Sequence, residues 1–320
     1  MYFFVKNIKK SYRSDNPVLK NLSFSMSKGE ILSFVGESGS GKTTFLRCVS
    51  GLEKLDKGLI SLNGTVINSE NIFVKPQRRN IAHVFQDFPL FPHLTVYNNL
   101  IFNLDSAFKK NIDGLVDVTG LESLLKRYPY QLSGGERQRV CIVRAIIREP
   151  DLLLLDEPFS NLDKKIKKSI IDHVESILQQ KKITTILVTH DINNILNISD
   201  KILVFKGGVL QQYDSPQNMY CHPSNCYCAE LLGDLNEINF QGKKHYIRPE
   251  HIKIVEKSKY KINIIKSLYQ GKDYKVKATH NLNEFHFYSK DFYEPKTTLH
   301  FDFDSKNLIF FNKKCESYFT

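Results

Sequence analysis

Residues 31–44 run Ile31-Leu32-Ser33-Phe34-Val35-Gly36-Glu37-Ser38-Gly39-Ser40-Gly41-Lys42-Thr43-Thr44. The segment Gly36 to Thr43 has the form GxxxxGK[ST], the pattern of a phosphate-binding loop. The run before it, 31–35, is short, apolar and β-prone, and the run from Thr44 to Ser50 has no Pro or Gly and suits a helix. That strand–loop–helix setting is what gives the motif meaning. Glycines let backbone N–H groups turn inward on phosphate oxygens with no Cβ in the way. The following helix adds unpaired N–H groups and the positive end of its dipole. Lys42 is then placed to reach the terminal phosphates, and the Thr43 hydroxyl to hold Mg²⁺.

The chain has 320 residues, 41% hydrophobic and 25% charged, ordinary values for one large or two modest globular domains. No apolar run approaches the roughly 20 residues that cross a bilayer. The start, Met1-Tyr2-Phe3-Phe4-Val5-Lys6, lacks a charged leader and a cleavage-site pattern, so the expected location is cytoplasmic. The formal net charge of +11 raises nucleic acid or an anionic membrane as partners. The lysines are scattered without a long block, however, and no nucleic acid is expected. Six cysteines suit a reducing compartment without disulfides. Cys221, Cys226 and Cys228 cluster beside His222, but their spacing matches no standard zinc pattern.

Strands are expected over 2–8 and 22–27, with a polar loop carrying Tyr12 between them. A short strand covers 59–62, and a buried one covers 81–85, ending at Gln86. From Asp87 to about Pro150 the pattern turns helical: Thr95 caps a helix over 96–104, and others fall near 111–118 and 121–127. This reads as an inserted helical lobe, closed by Leu132-Ser133-Gly134-Gly135-Glu136-Arg137-Gln138 and a helix over 137–148. An apolar strand, 151–155, then delivers Asp156 and Glu157, and another, 183–188, delivers Thr189-His190-Asp191. Helices near 164–180 and 191–198 and a strand near 201–205 continue a βα alternation, which implies an α/β fold with a mostly parallel, helix-covered sheet. Past Asp234 the alternation gives way to short, aromatic-rich alternating stretches, which predict a cassette-sized domain over 1–234 and a small β domain over 235–320.

One phosphate loop fits many nucleotidases, but here several elements recur in a fixed order. With Gly36–Thr43, Gln86, Leu132–Gln138, Leu152–Glu157, Ser160-Asn161-Leu162-Asp163 and His190, residues 1–234 resemble the nucleotide-binding subunit of ATP-binding-cassette transporters. The resemblance implies a P-loop NTPase core with an inserted helical subdomain. It implies ATP as substrate, cradled by Gly36, Glu37, Ser38, Gly39, Ser40, Gly41, Lys42, Thr43 and Thr44, with Tyr12 stacked on adenine. Mg²⁺ falls to Thr43, Gln86 and Asp156. Glu157 becomes the general base toward water, or else a second acid of the metal shell with no proton role. Lys42, Gln86 and His190 complete the catalytic set, His190 as a partner of the γ-phosphate. Ser133, Gly134 and Gly135 are expected to face the ATP of a second subunit, so that two copies close on nucleotide, with Asp163 at the seam.

Hydrolysis has to drive something, and the resemblance implies separate integral membrane permease subunits and an external solute-binding protein. The subunit would then be peripheral on the inner membrane face. Phe88, Leu90 and Phe91 are candidates for the groove that receives the permease, ordinary packing in the lobe being their other reading. Tyr246-Ile247-Arg248-Pro249-Glu250-His251-Ile252 resembles the opening of the OB-like domain that follows the cassette in importers. The Gln86–Val96 stretch is nearest the ferric-iron and polyamine branch. The competing readings are an exporter's ATPase, a soluble cassette ATPase acting on nucleic acid or ribosomes, and a binding module without turnover. The first is disfavoured by the extra domain. The soluble ATPases usually carry a long coiled-coil insertion or two fused cassettes, and the intact Lys42, Asp156, Glu157 and His190 argue against the last.

Overall fold

The computed structural model describes residues 1–13, 16–105, 108, 112–159, 164–190 and 192–311. The expected roles of Ser160, Asn161, Leu162, Asp163 and Asp191 therefore fall outside the described residues. The chain divides into two compact units, Met1–Pro216 and Gln217–Thr320.

The first unit runs β1 (Phe3–Ser11), β2 (Pro17–Met26), β3 (Ile31–Val35), α1 (Lys42–Ser50), β4 (Lys57–Leu62), β5 (Thr65–Ser69), β6 (Ile81–Val84), α2 (Val96–Ile101), α3 (Ile112–Thr119), α4 (Gly134–Ile146), β7 (Leu152–Asp156), α5 (Lys164–Lys181), β8 (Thr185–Thr189), α6 (Ile192–Ile198), β9 (Lys201–Lys206) and β10 (Val209–Asp214). Two sheets result. One is antiparallel, in the order β2-β1-β4-β5; the other, β10-β9-β3-β8-β7-β6, is parallel except for β10 at its edge. β3, β7 and β8 are buried at every position, as strands covered on both faces must be.

Helix α1 is keyed between the sheets by its own aromatic residue. The Phe45 ring lies 5.7 Å from Phe24 of β2 and 5.0 Å from Phe34 of β3, and Phe34 meets Phe205 of β9 at 5.1 Å. These rings belong to one buried cluster with Leu32, Leu154 and Val188. Burial of this apolar area, at roughly 25 cal/mol per Å², is what fixes α1 and the loop before it.

Several expectations shift. β5 and β10 are strands the alternation did not announce. The stretch expected as a helix over 121–127 holds a single 3₁₀ turn, Glu122–Leu124. α4 starts at Gly134 rather than Arg137, because Ser133 and Glu136 close a capping box. Ser133 Oγ accepts from the Glu136 N–H at 3.3 Å, and the Glu136 carboxylate accepts from the Ser133 N–H at 2.7 Å.

The second unit takes up α7 (Pro216–Cys221), which begins at the division, and α8 (Cys226–Leu232). Strands follow: β11 (Asn236–Phe240), β12 (Lys243–Ile247), β13 (Lys253–Val255), β14 (Tyr260–Tyr269), β15 (Tyr274–His280), β16 (Asn283–Ser289) and β17 (Thr298–Asp302). β11 and β12 form a hairpin, and the rest form a sheet in the order β13-β17-β14-β15-β16 over a core rich in Ile and Phe. The motif residue Arg248 is structural: it is 2% exposed and donates to the carbonyls of Ala229 (2.8 Å) and Gly233 (2.6 Å) while lying over the Tyr220 ring. Cys48, Cys141, Cys221 and Cys228 are free thiols, whereas Cys226 is disulfide-bonded, a departure from the expectation of a chain without disulfides.

Candidate nucleotide site

Four adjacent parallel strands end at one edge of the sheet, and each delivers part of the site. β3 leads into Gly36, β8 into His190, β7 into Asp156 and Glu157, and β6 reaches Gln86 two residues past its end. Ligands of open α/β sheets bind at the carboxyl ends of the strands for this reason.

The loop has little steric freedom. A Cβ built on Gly36 would lie 2.0 Å from the Phe205 carbonyl oxygen, and one on Gly41 would lie 2.8 Å from that of Val18. Gly41 also takes φ 108° as the N-cap of α1 and offers no capping side chain, which leaves the first-turn N–H groups for a ligand. Lys42 is 8% exposed, and its ammonium donates to the carbonyls of Gly36 and Glu37, both at 2.8 Å. Burial pulls the Lys42 pKa down, while Glu157, Asp156 and Glu37 push it back up.

Asp156 is buried, and its carboxyl accepts a hydrogen bond from Thr43. Burial, and next the charge of Glu157, raise its pKa, while Thr43 and Lys42 lower it. Glu157 takes a left-handed φ of 50° with its N–H bonded to Val188 O at 2.9 Å. Its Oε1 lies 2.8 Å from Nδ1 of the largely exposed His190. Thr43 thus meets Asp156, His190 meets Glu157, and the charges of both acids act on Lys42. The buried Asp156 and the half-buried Glu157 beside a hydroxyl form a hard-oxygen donor set of the kind that suits Mg²⁺.

Gln86 stands exposed on the turn after β6. Tyr12 projects past β1, 55% exposed, with the Lys10 ammonium 5.5 Å above its ring. Ser133, Gly134 and Gly135 form the N-terminus of α4, and among the described residues no hydrogen bond ties them to the loop. Beyond Gln86, Leu90 and Phe91 line a cavity of about 440 Å³ with Phe85, Phe102 and Arg144. Phe88 does not line it; it is 6% exposed and packed.

Sequence reasoning missed the polar side chains that brace these parts. Arg79, 6% exposed, donates to the carbonyls of Cys48 and Val49 at the end of α1 and to those of Val74 and Ile67. Asn99, fully buried, bonds the Phe91 N–H and carbonyl and so pins the start of the lobe. No local pattern marks either residue.

Comparison with known proteins agrees with this geometry. The family described as "ABC transporter" matches residues 19–160. The chain is 39% identical over 243 residues to the spermidine/putrescine import ATP-binding protein PotA of Legionella pneumophila, covering 74% of this chain and 65% of that protein. It is 35% identical over 300 residues to the sulfate/thiosulfate import ATP-binding protein CysA of Mesostigma viride, covering 85% of each. It is 39% identical over 236 residues to the Fe(3+) ions import ATP-binding protein FbpC 2 of Haemophilus influenzae, covering 72% of this chain and 66% of that one. Among solved structures, the dimeric post-hydrolysis state of the ATP-binding cassette MJ0796 bound to ADP and Pi superposes with a TM-score of 0.59 at 30% identity, over 67% of this chain and 98% of that one. With its strand-end acids, its phosphate loop and these relatives, the chain belongs to the ATP-binding-cassette transporter family, among the ATP-binding subunits of importers.

Proposed function

We propose that this chain hydrolyses ATP to ADP and phosphate and couples that reaction to solute uptake through separate membrane subunits. The observation that carries the reading is the convergence of Lys42, Thr43, Asp156, Glu157 and His190 at one sheet edge. The loop from Gly36 to Thr44 holds the phosphates, and Lys42 exchanges its loop carbonyls for phosphate oxygens. Tyr12 stacks on adenine. Thr43, Asp156 and Gln86 hold Mg²⁺, which when bound neutralises charge developing on the phosphates. Glu157 takes the proton of the attacking water, and His190 steadies Glu157 and contacts the γ-phosphate. Ser133, Gly134 and Gly135 serve the nucleotide of a second copy, so the working unit is a dimer closed by ATP.

The domain reading goes with this: a cassette over 1–234 with its helical lobe at about 87–150, and a β domain over 235–320. No helix among the described residues is long and apolar enough to cross a membrane, so transport falls to integral permease partners, fed by an external solute-binding protein. The cavity beside Leu90 and Phe91 is the docking site for the permease. The relatives' names cover polyamines, sulfate and ferric iron, so the membrane and external subunits choose the solute.

The test uses Glu157→Gln, which keeps size and hydrogen bonding but removes the base. Tagged variant incubated with ATP and Mg²⁺ is expected to bind nucleotide, to lose turnover and to elute as a dimer. From detergent-solubilised membranes it should bring down integral membrane subunits. Normal turnover would remove Glu157 from its role. Recovery with ribosomes or DNA alone would favour a soluble cassette ATPase.

A further inference from the structure

The ring assigned to the base is held from one side. Tyr12 lies one residue past β1, and the Lys10 ammonium, two residues back, stands 5.5 Å from the ring centroid. That is inside the reach of a cation–π contact, about 6 Å. A lysine near a strand end ordinarily keeps its ammonium in water on a flexible stem. Lys10 does not: its side chain is 12% exposed, and two carboxylates share its ammonium, Glu53 at 3.5 Å and Asp56 at 3.6 Å. The cation is therefore the fixed member of the pair, and the ring is what it positions. Tyr12 remains 55% exposed, so it still has surface to offer a base.

Both carboxylates belong to the connection from α1 to β4, and each is anchored in turn. The Glu53 carboxylate accepts from the Arg47 guanidinium of α1 at 3.3 Å, and the Glu53 N–H donates to the Arg47 carbonyl at 3.1 Å. The Asp56 carboxylate accepts from the Ser11 N–H at 2.6 Å, and the Asp56 N–H donates to the Lys9 carbonyl at 3.0 Å. A polar path thus runs from the Tyr12 ring through Lys10 and Glu53 to Arg47 on α1, the helix whose first turn completes the phosphate loop. Exposed ion pairs of this kind add little stability one by one. What the path supplies is spacing: the base and the phosphates of one nucleotide are covalently joined, so both subsites are filled together only when their separation is right.

We propose that Lys10 is a positioning residue for nucleotide binding: its ammonium, fixed by Glu53 and Asp56, holds the Tyr12 ring where adenine can stack on it while the phosphates occupy the loop from Gly36 to Thr44. This rests on the reading of Tyr12 as the adenine platform and deepens it. A ring ordered before the nucleotide arrives spares the side-chain ordering that stacking would otherwise cost. Lys10 touches no reacting atom in this role, so it acts on affinity for the base and leaves the hydrolytic step alone.

The experiment titrates the full chain calorimetrically with ATP and with inorganic triphosphate, which has no base, as unmodified protein, Lys10→Met, Lys10→Arg, Tyr12→Leu and the Lys10→Met/Tyr12→Leu double variant. The KM and kcat for ATP hydrolysis and the nucleotide-free Tm are measured alongside. Lys10→Met is expected to bind ATP about three- to fivefold more weakly, the worth of one cation–π contact, and triphosphate as the unmodified chain does. Its KM should rise by the same factor with kcat unchanged, and Lys10→Arg, which keeps a cation over the ring, should recover most of the loss. In the Tyr12→Leu background the Lys10 change should add less than about twofold, because the two act as one unit. Unchanged ATP affinity in Lys10→Met would overturn the proposal. Equal losses of ATP and triphosphate would also overturn it, since Lys10 would then serve only the fold around α1. If Tyr12→Leu binds ATP normally, the adenine reading falls and this proposal with it; if Tyr12→Leu weakens ATP but Lys10→Met does not, the proposal falls alone. Should Lys10→Met fold poorly, Lys10→Gln, uncharged but able to donate to the same carboxylates, is held to the same outcomes.

Discussion

Replacing Gly36 by alanine separates steric closeness from backbone conformation as the reason for the loop's glycines. The new Cβ would sit 2.0 Å from the Phe205 carbonyl oxygen, whereas ordinary contact begins at 3.4 Å. The obstacle is backbone of the buried strand β9, so the loop has to move by more than 1 Å. A displacement of about 1 Å in a positioned site costs on the order of 10²-fold. Gly39 supplies the control. Its φ is +77°, but nothing lies within 4 Å of an added Cβ, so Gly39→Ala incurs only left-handed strain of about 1 kcal/mol. Titration of each variant with a fluorescent ATP analogue is expected to show about a hundredfold loss for Gly36→Ala and at most several-fold for Gly39→Ala. Equal losses, or near-normal binding by Gly36→Ala, would refute the reasoning, because the contact with β9 would then not hold the loop.

Asp156→Asn is expected to abolish Mg²⁺-dependent hydrolysis and to raise the Tm of nucleotide-free protein at pH 7. Its folded pKa is raised above the ordinary 3.8, so the stability it contributes is full below that value and is lost as pH rises through the folded pKa. Differential scanning calorimetry should show a gain on the order of a few degrees, and a lower Tm would contradict the burial argument. Arg248→Ala is expected to unfold the second unit early, by about 3–5 kcal/mol, because two short hydrogen bonds to buried carbonyls are lost. Urea denaturation followed by tyrosine fluorescence, with ATPase activity measured in parallel, tests this. A loss below about 1 kcal/mol would mean that water replaces the guanidinium at little cost.

Much of the site was legible in the linear chain because its chemistry depends on neighbours in sequence. A phosphate cradle needs successive N–H groups, so Gly36 to Thr43 announces itself. A strand-end acid pair needs an apolar run before it, as in Leu152 to Glu157, and the Ser133–Glu136 capping box is likewise local. Even here the start of α4 was misplaced, because the glycines masked the cap.

The tertiary structure alone decided the rest. That His190 meets Glu157, or that Asp156 takes the Thr43 hydroxyl, follows from the strand order β3-β8-β7-β6, which no single segment encodes. The buried braces Arg79, Asn99 and Arg248 look like surface residues in sequence. Arg79 finds two of its acceptors 30 and 31 residues away, and Arg248 finds two of its own 15 and 19 residues away. Local chemistry is written in neighbouring residues, but the burial of a polar group is set by what packs over it, and only the folded chain brings those atoms together.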